Sequence, residues 1–117
     1  MPKINKPRKV AKVRKSSGNV FRDLGLSNPD ERLAKAQLAN RLCEIIADRN
    51  LSQAQAATLM GLDQPKISAL KRGKLAGFSV DRLFRCLNAL GQQVKITVQP
   101  VQPGTRRGET CVVVAGA

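Results

Sequence analysis

The chain has 117 residues and a formal net charge of +13, from 21 basic and 8 acidic side chains. This length favours one domain, and this excess of positive charge indicates a polyanionic partner, nucleic acid first of all. Because the chain has no histidine and its three cysteines are far apart, we expect no metal site, no cofactor and no disulfide framework.

The first segment, residues 1–19, is rich in lysine, arginine, proline and serine, and residues 1–22 hold eight cations and no acid. Such a segment buries too little apolar surface to offset the entropy lost on folding. We therefore expect a flexible basic arm. It would contact phosphates or a partner protein, or serve only as a solubilising tail.

A helical domain is predicted over residues 20–92. Its lead-in has four apolar residues that we expect to pack on the first long helix: Val20, Phe21, Leu24 and Leu26. That helix is predicted to run from Asn28, its N-cap, through Pro29 to Asn50. Its apolar face is typical of a helix packed on a core.

Two shorter helices follow within residues 51–73. In the first, Ser52 and Gln55 have the spacing of a capping box, alanines keep the helix slim, and Gly61 suits its end. The second is predicted from Asp63 or Gln64 to Gly73, with Ile67 and Leu70 facing inward. So short a helix needs its neighbours for stability.

The last helix is predicted from its cap, Ser79, to Gly91, and closes the core with Phe78 and Phe84. Residues 93–99 then change period, since Val94, Ile96 and Val98 alternate with polar residues as in a half-buried strand. A single strand needs a partner, so we expect it to pair with its own copy in a dimer, with the tail, or with another protein. Residues 100–117 are predicted to be a tail whose apolar run is too short to span a membrane.

The joint spacing of Gln53, Ala57, Gly61, Ile67 and Leu70 resembles the helix-turn-helix of the XRE, or Cro/repressor-like, family. This resemblance implies a mainly α fold, a four- to five-helix helix-turn-helix domain, here followed by a C-terminal β-strand. It also implies a sequence-specific DNA-binding regulator of transcription in the cytoplasm, on the nucleoid.

The resemblance further implies roles for individual side chains. Gln53 would hold a phosphate, Gln64 would pair with adenine, and Lys66 would donate to guanine. The remaining positions expected at the DNA are Pro65 for shape, Ser68 and Ala69 on the outward face, and Lys71, Arg72 and Lys74 on phosphates. The alternative for these positions is simple solvation of a helix face.

A narrower resemblance covers residues 20–99, where the run before the motif and the segment QQVKITVQP look like small antitoxins of the HigA type. It implies a homodimer that binds a palindromic operator, represses its own operon and neutralises a RelE-like ribonuclease toxin. An XRE repressor without a toxin partner is the near alternative.

Two other classes fit less well. An enzyme is disfavoured because the sequence has no histidine, no catalytic carboxylate pair and no phosphate-binding loop. An RNA-binding protein would suit the charge, but the chain has no tryptophan or tyrosine and only three phenylalanines with which to stack bases.

Overall fold

The computed structural model describes residues 19–115, so residues 1–18 of the predicted basic arm lie outside the described part. Within it the chain forms five α-helices and no β-strand. They are α1 (Val20–Asp23), α2 (Pro29–Asp48), α3 (Gln53–Met60), α4 (Gln64–Lys71) and α5 (Val80–Ala89). None of these helices is long and apolar enough to cross a membrane. The mainly helical fold is confirmed.

The chain divides into two units, Met1–Leu33 and Ala34–Ala117, with the boundary inside α2. In the first unit, Asn19 caps α1: its side-chain oxygen accepts from the backbone N–H groups of Phe21 and Arg22. Its amide nitrogen donates to the Pro29 carbonyl oxygen at 2.9 Å. Arg22 also pairs with Asp30. Asn19, which we assigned to the arm, is therefore a buried structural residue.

The apolar lead-in packs less than predicted. Val20, Leu24 and Leu26 are 57%, 69% and 41% exposed, and only Phe21 is half-buried. The reason is local, because α1 ends after one turn and Gly25, with a φ of 74°, reverses the chain. Within residues 19–33, polar contacts of Asn19 and Arg22 join α1 to the start of α2.

The long helix α2 has nearly the predicted bounds, with different chemistry at its start. Asn28 has a φ of 50°, so its backbone is left-handed and not extended as in an N-cap. At the other end Asn50 has a φ of 53°, and the N–H of Leu51 donates to the Ile46 carbonyl oxygen at 3.0 Å. This is a Schellman-type helix end, with asparagine in place of the usual glycine.

The hydrophobic core lies in the second unit, where α3 packs against α4 and α5. Its largest fully buried side chains come from all of α2, α4 and α5 and from the loop before α5: Phe78, Leu42, Ile46, Ile67, Leu70, Leu83 and Cys86. Phe78 is buried as predicted, and Phe84 packs half-buried against the cluster. The inward sides of both short helices, α3 and α4, are therefore packed into this core.

The predicted C-terminal strand is not formed in the single chain. Val94 packs half-buried on its own core, whereas Ile96 and Val98 are 72% and 92% exposed. The predicted alternation therefore does not define one buried face. A strand requires hydrogen-bonded neighbours, and the described part of the tail supplies none, since it too contains no strand.

The tail nevertheless turns back. The N–H of Thr105 donates to the Gln102 carbonyl oxygen at 3.1 Å, and Gly104, with a φ of 89°, follows Pro103. Proline and glycine at these places are typical of a type II turn. Val112, beyond this turn, packs on the same core as Val94. Both ends of the segment 92–115 thus rest on the core.

Candidate nucleic-acid interface

Helix α3 is fixed at both ends by its own sequence. The Gln55 N–H donates to the Ser52 hydroxyl at 3.0 Å and the Ser52 N–H donates to the Gln55 side-chain oxygen at 2.8 Å, which completes the predicted capping box. Gly61 ends the helix with a φ of 68°, and the Leu62 N–H donates to the Ala57 carbonyl oxygen at 2.9 Å. The two helices of the motif are therefore joined by a tight turn.

The slim side of α3 carries the contact with its neighbours. Ala56 and Ala57 are 0% and 7% exposed, and neither side chain extends beyond its Cβ atom. A larger residue at either position would overpack the contact and separate the helices. Close packing of α3 with α4 is what the alanine-rich sequence predicted, and the structure shows it.

Helix α4 is fixed by two buried side chains on its inward side and by a cap at its N-terminus. Ile67 and Leu70 are 0% and 1% exposed, and the Asp63 side chain accepts from the Lys66 N–H at 3.0 Å. Pro65 lies in the first turn, where its missing N–H costs no helical hydrogen bond. The Cys43 thiol of α2 lies 4.0 Å from the Leu70 carbonyl oxygen, and burial raises the pKa of this thiol above its ordinary value.

The opposite side of α4 faces outward. With about 3.6 residues per turn, burial of Ile67 and Leu70 directs the other positions away from the core. Gln64 and Pro65 are exposed, and Ser68 and Ala69 are half-buried. The structure thus brings these four predicted positions to one helix surface, whereas Gln53 is the first residue of a different helix, α3.

The end of α4 is strongly basic. Lys71, Arg72 and Lys74 are all exposed, and within residues 19–115 none of them joins an ion pair with a carboxylate. The Lys74 N–H donates to the Ala69 carbonyl oxygen at 2.9 Å, so its backbone is tied to the helix end. Gly73, between Arg72 and Lys74, has a φ of 73° and reverses the direction of the chain after α4. These cations are free to approach phosphates.

Lys66 has a different environment from the other predicted positions. It is half-buried, its Nζ donates to the Gly77 carbonyl oxygen at 3.3 Å, and its ammonium lies 5.4 Å from the centre of the Phe78 ring. The sequence pattern did not indicate the contact between Lys66 and Gly77, because these residues are eleven positions apart and only Lys66 belongs to α4.

A further cation near the motif was not among the predicted positions. Arg82 of α5 is exposed and lines a shallow groove of about 330 Å³ together with Gly61 and Leu62 of the turn. Arg85 lines the same groove but pairs with Asp81 at 2.6 Å. No local pattern indicated this place for Arg82, because the groove brings α5 beside the turn after α3 through tertiary packing.

Comparison with known proteins agrees with this geometry. Residues 20–99 match the family described as "Helix-turn-helix domain". A solved structure named "Putative XRE Family Transcriptional Regulator" is 46% identical, with a TM-score of 0.67, and the match covers 74% of this chain and 97% of that one.

A curated relative is more distant. The Mycobacterium tuberculosis (strain ATCC 25618 / H37Rv) protein "Putative antitoxin HigA2" is 34% identical over 61 residues, which is 52% of this chain. The match spans 60% of that relative's length. The family match over residues 20–99 and the nearly complete coverage of the solved structure together show that the chain belongs to the XRE family of helix-turn-helix, DNA-binding transcriptional regulators.

Proposed function

We propose that this regulator binds a palindromic operator as a homodimer and represses transcription there. The observation that carries the proposal is the outward surface of α4, where exposed Gln64 and Pro65 lead into the cations Lys71 and Arg72. A helix whose first turn is exposed, whose outward side carries the polar Gln64 and Ser68, and whose end is basic suits entry into the major groove.

The division of roles follows from side-chain chemistry. The exposed amide of Gln64 suits bidentate pairing with adenine, and the methyl group of Ala69 suits contact with a thymine methyl. Ser68 adds a hydroxyl and Pro65 only shape. Cations bind phosphates without reading sequence, which suits Lys71, Arg72 and Lys74, and the exposed Gln53 would add a neutral phosphate contact.

The dimer part of the proposal rests on the C-terminal segment. Ile96 and Val98 are large apolar side chains left 72% and 92% exposed, and Val113 beyond the turn is 84% exposed. A segment that exposes large apolar side chains and forms no strand within the described residues 19–115 can add a strand to another chain. Val94, the third predicted dimer residue, already packs on its own core, so we assign the contact between the two copies to Ile96 and Val98.

We further propose that the chain is an antitoxin of the HigA type, with a RelE-like ribonuclease toxin as partner. The likeness to the mycobacterial relative that carries an antitoxin name supports this. The near alternative, a repressor without a toxin, has the same DNA surface.

The operator test is selection of binding sites from random DNA duplexes, followed by footprinting of the best one. We expect two inverted half-sites about 34 Å apart, one helical turn, which two copies of α4 would occupy. A single, non-repeated half-site would contradict the dimer. Binding without any sequence preference would contradict base reading.

The antitoxin test is co-purification with the product of the adjacent gene, with ribonuclease activity as the readout. We expect a small ribonuclease whose activity is lost in the complex. Removal of residues 1–18 then asks which partner the arm serves, since DNA affinity falls if it contacts phosphates and complex formation fails if it contacts the toxin. The deletion stops before Asn19 because that residue caps α1. If no complex forms with the complete chain, the repressor without a toxin remains.

A further inference from the structure

Lys66 lies on α4 but points along the side of this helix rather than outward. Ile67 and Leu70 define the buried side of α4, and Lys66 is half-buried between that side and the exposed surface. Its ammonium donates to the Gly77 carbonyl oxygen at 3.3 Å and stands over the Phe78 ring. The side chain thus spans from the first turn of α4 to the loop that precedes α5.

Besides Lys66, three points fix that loop, residues 73–78: its two ends and Leu75, which packs half-buried on the core. The Lys74 N–H is bonded to the Ala69 carbonyl oxygen, the Phe78 N–H donates to the Leu75 carbonyl oxygen at 3.0 Å, and the Phe78 ring is 2% exposed in the core. Lys74 itself is exposed, and so are Ala76 and Gly77 between these points. The hydrogen bond from Lys66 to the Gly77 carbonyl oxygen connects this exposed part of the loop directly to α4.

Gly77 fits this contact because it has no side chain. A Cβ atom at this position would lie 2.9 Å from the Lys66 Nζ, and that ammonium is the mobile end of a long side chain. Alanine at position 77 would therefore displace the ammonium from the carbonyl oxygen at little cost to the fold. Gly77→Ala can therefore break the contact between Lys66 and Gly77 while the lysine is kept.

We propose that Lys66 is a positioning residue: it holds the loop 73–78 against α4 so that Lys74 is placed to contact a DNA phosphate. The proposal rests on the proposed binding of α4 to DNA and replaces the guanine contact first expected of Lys66. An ammonium held by a carbonyl oxygen and an aromatic face has to give up both contacts to reach a base edge. Lys71, by contrast, is exposed and has no such contact to lose within the described residues 19–115.

The experiment measures affinity for the selected operator, and for duplexes with each base pair changed, at several salt concentrations. The variants are Lys66→Met, which keeps an unbranched side chain without the ammonium, Gly77→Ala, Lys74→Ala, and the double variant Lys66→Met/Lys74→Ala. Lys71→Met is the matched control on the same helix. Thermal unfolding of each variant gives the folded fraction, for which the affinities are corrected.

We expect Lys66→Met to weaken binding by the same factor on every duplex, about 5- to 20-fold, and to reduce the salt slope by about one unit, as Lys74→Ala does. The double variant should bind as weakly as Lys74→Ala alone, because one contact is lost in each case. Gly77→Ala should reproduce the loss. Lys71→Met should also reduce the salt slope, and its effect should add to that of Lys74→Ala when the two changes are combined.

Three binding results would each overturn the proposal: a loss confined to one base pair, additivity between Lys66→Met and Lys74→Ala, or wild-type binding by Gly77→Ala. A lower melting temperature with unchanged corrected affinity would also overturn it, because Lys66 would then act on stability alone. If the wild-type chain shows no sequence preference, the proposed function fails and this inference fails with it. If the wild type is selective, any of the earlier results removes only the role given to Lys66.

Discussion

The helix-turn-helix segment, residues 52–73, and the C-terminal segment, residues 92–115, use the same kinds of apolar residue in opposite ways. Ile67 in the first is 0% exposed, and Ile96 in the second is 72% exposed. A helix closes its backbone hydrogen bonds within itself, so burying one side is enough to stabilise it in a single chain. An extended segment has to find its hydrogen bonds on another segment, which makes its order dependent on a partner.

The largest expected difference between the two segments is in stability. Ile67→Ala should lower the free energy of unfolding by about 2–5 kcal/mol, because it leaves a cavity in a fully packed core. Ile96→Ala should change it by about 0.5 kcal/mol or less at a chain concentration low enough to favour the monomer. Chemical denaturation measures both. An equal loss for the two variants would show that residue 96 is buried in the protein as it exists in solution.

The same pair sharpens the dimer proposal when the concentration is raised. If Ile96 lies in a contact between copies, the cost of Ile96→Ala should grow with concentration and that of Ile67→Ala should not. Sedimentation of both variants supplies the independent measurement of oligomeric state. A cost for Ile96→Ala that stays constant over this range would count against the contact.

The next largest effect concerns the exposed surface of the first segment. Gln64→Ala should cost about 1–3 kcal/mol in binding at one operator base pair and relax specificity there, because a bidentate side chain is lost. Gln53→Ala is the matched control, and it should weaken all duplexes alike. Titration against single-base-pair variants of the operator distinguishes the two patterns. Uniform weakening by Gln64→Ala would show that Gln64 does not read a base.

A smaller effect is expected at the cap that begins the motif. Ser52→Ala removes the hydroxyl that accepts the Gln55 N–H and should cost about 1 kcal/mol of stability. Ser68→Ala, in the interior of α4, is the control and should change stability little, since alanine is the better helix former. Thermal unfolding monitored by circular dichroism compares them. Equal effects would mean that the cap contributes nothing beyond side-chain replacement.

The cations of the two segments should differ in their response to salt. Arg72→Ala should weaken binding on every duplex and lower the salt slope by about one unit, because one phosphate contact is lost. Arg106→Ala removes an exposed cation from the C-terminal segment and should leave the slope unchanged. Affinity at several salt concentrations tests both. A reduced slope for Arg106→Ala would bring the C-terminal segment into the DNA interface.

The smallest effect is chemical and leaves the fold intact. Burial raises the pKa of the Cys86 thiol, so little of it is thiolate at neutral pH, whereas Cys111 is exposed. A thiol reagent should therefore modify Cys111 first and Cys86 only as the protein unfolds. Mass spectrometry of the peptides over time follows both sites. Early modification of Cys86 would indicate that α5 opens readily.

The predictions that held were those with local chemistry. The capping box at Ser52, the glycine at position 61 and the inward positions Ile67 and Leu70 each depend on residues a few positions apart, and the structure has all of them. Apart from the N-cap expected at Asn28, whose backbone is left-handed, those that failed needed contacts with distant chain. The lead-in residue Leu24 is exposed because Gly25 turns the chain, and residues 93–99 form no strand because the described chain has no strand to join.

By itself the sequence determined that this chain is basic, helical and built on a helix-turn-helix, because charge, helix caps and the spacing of inward side chains are properties of short stretches. Only the tertiary structure decided which of the outward positions on α4 are uncovered. Gln64 is exposed, whereas Lys66, two residues later, contacts Gly77 and Phe78. The physical reason is that a loop eleven residues away folds back beside the helix, and helical periodicity contains no information about what packs on its flank.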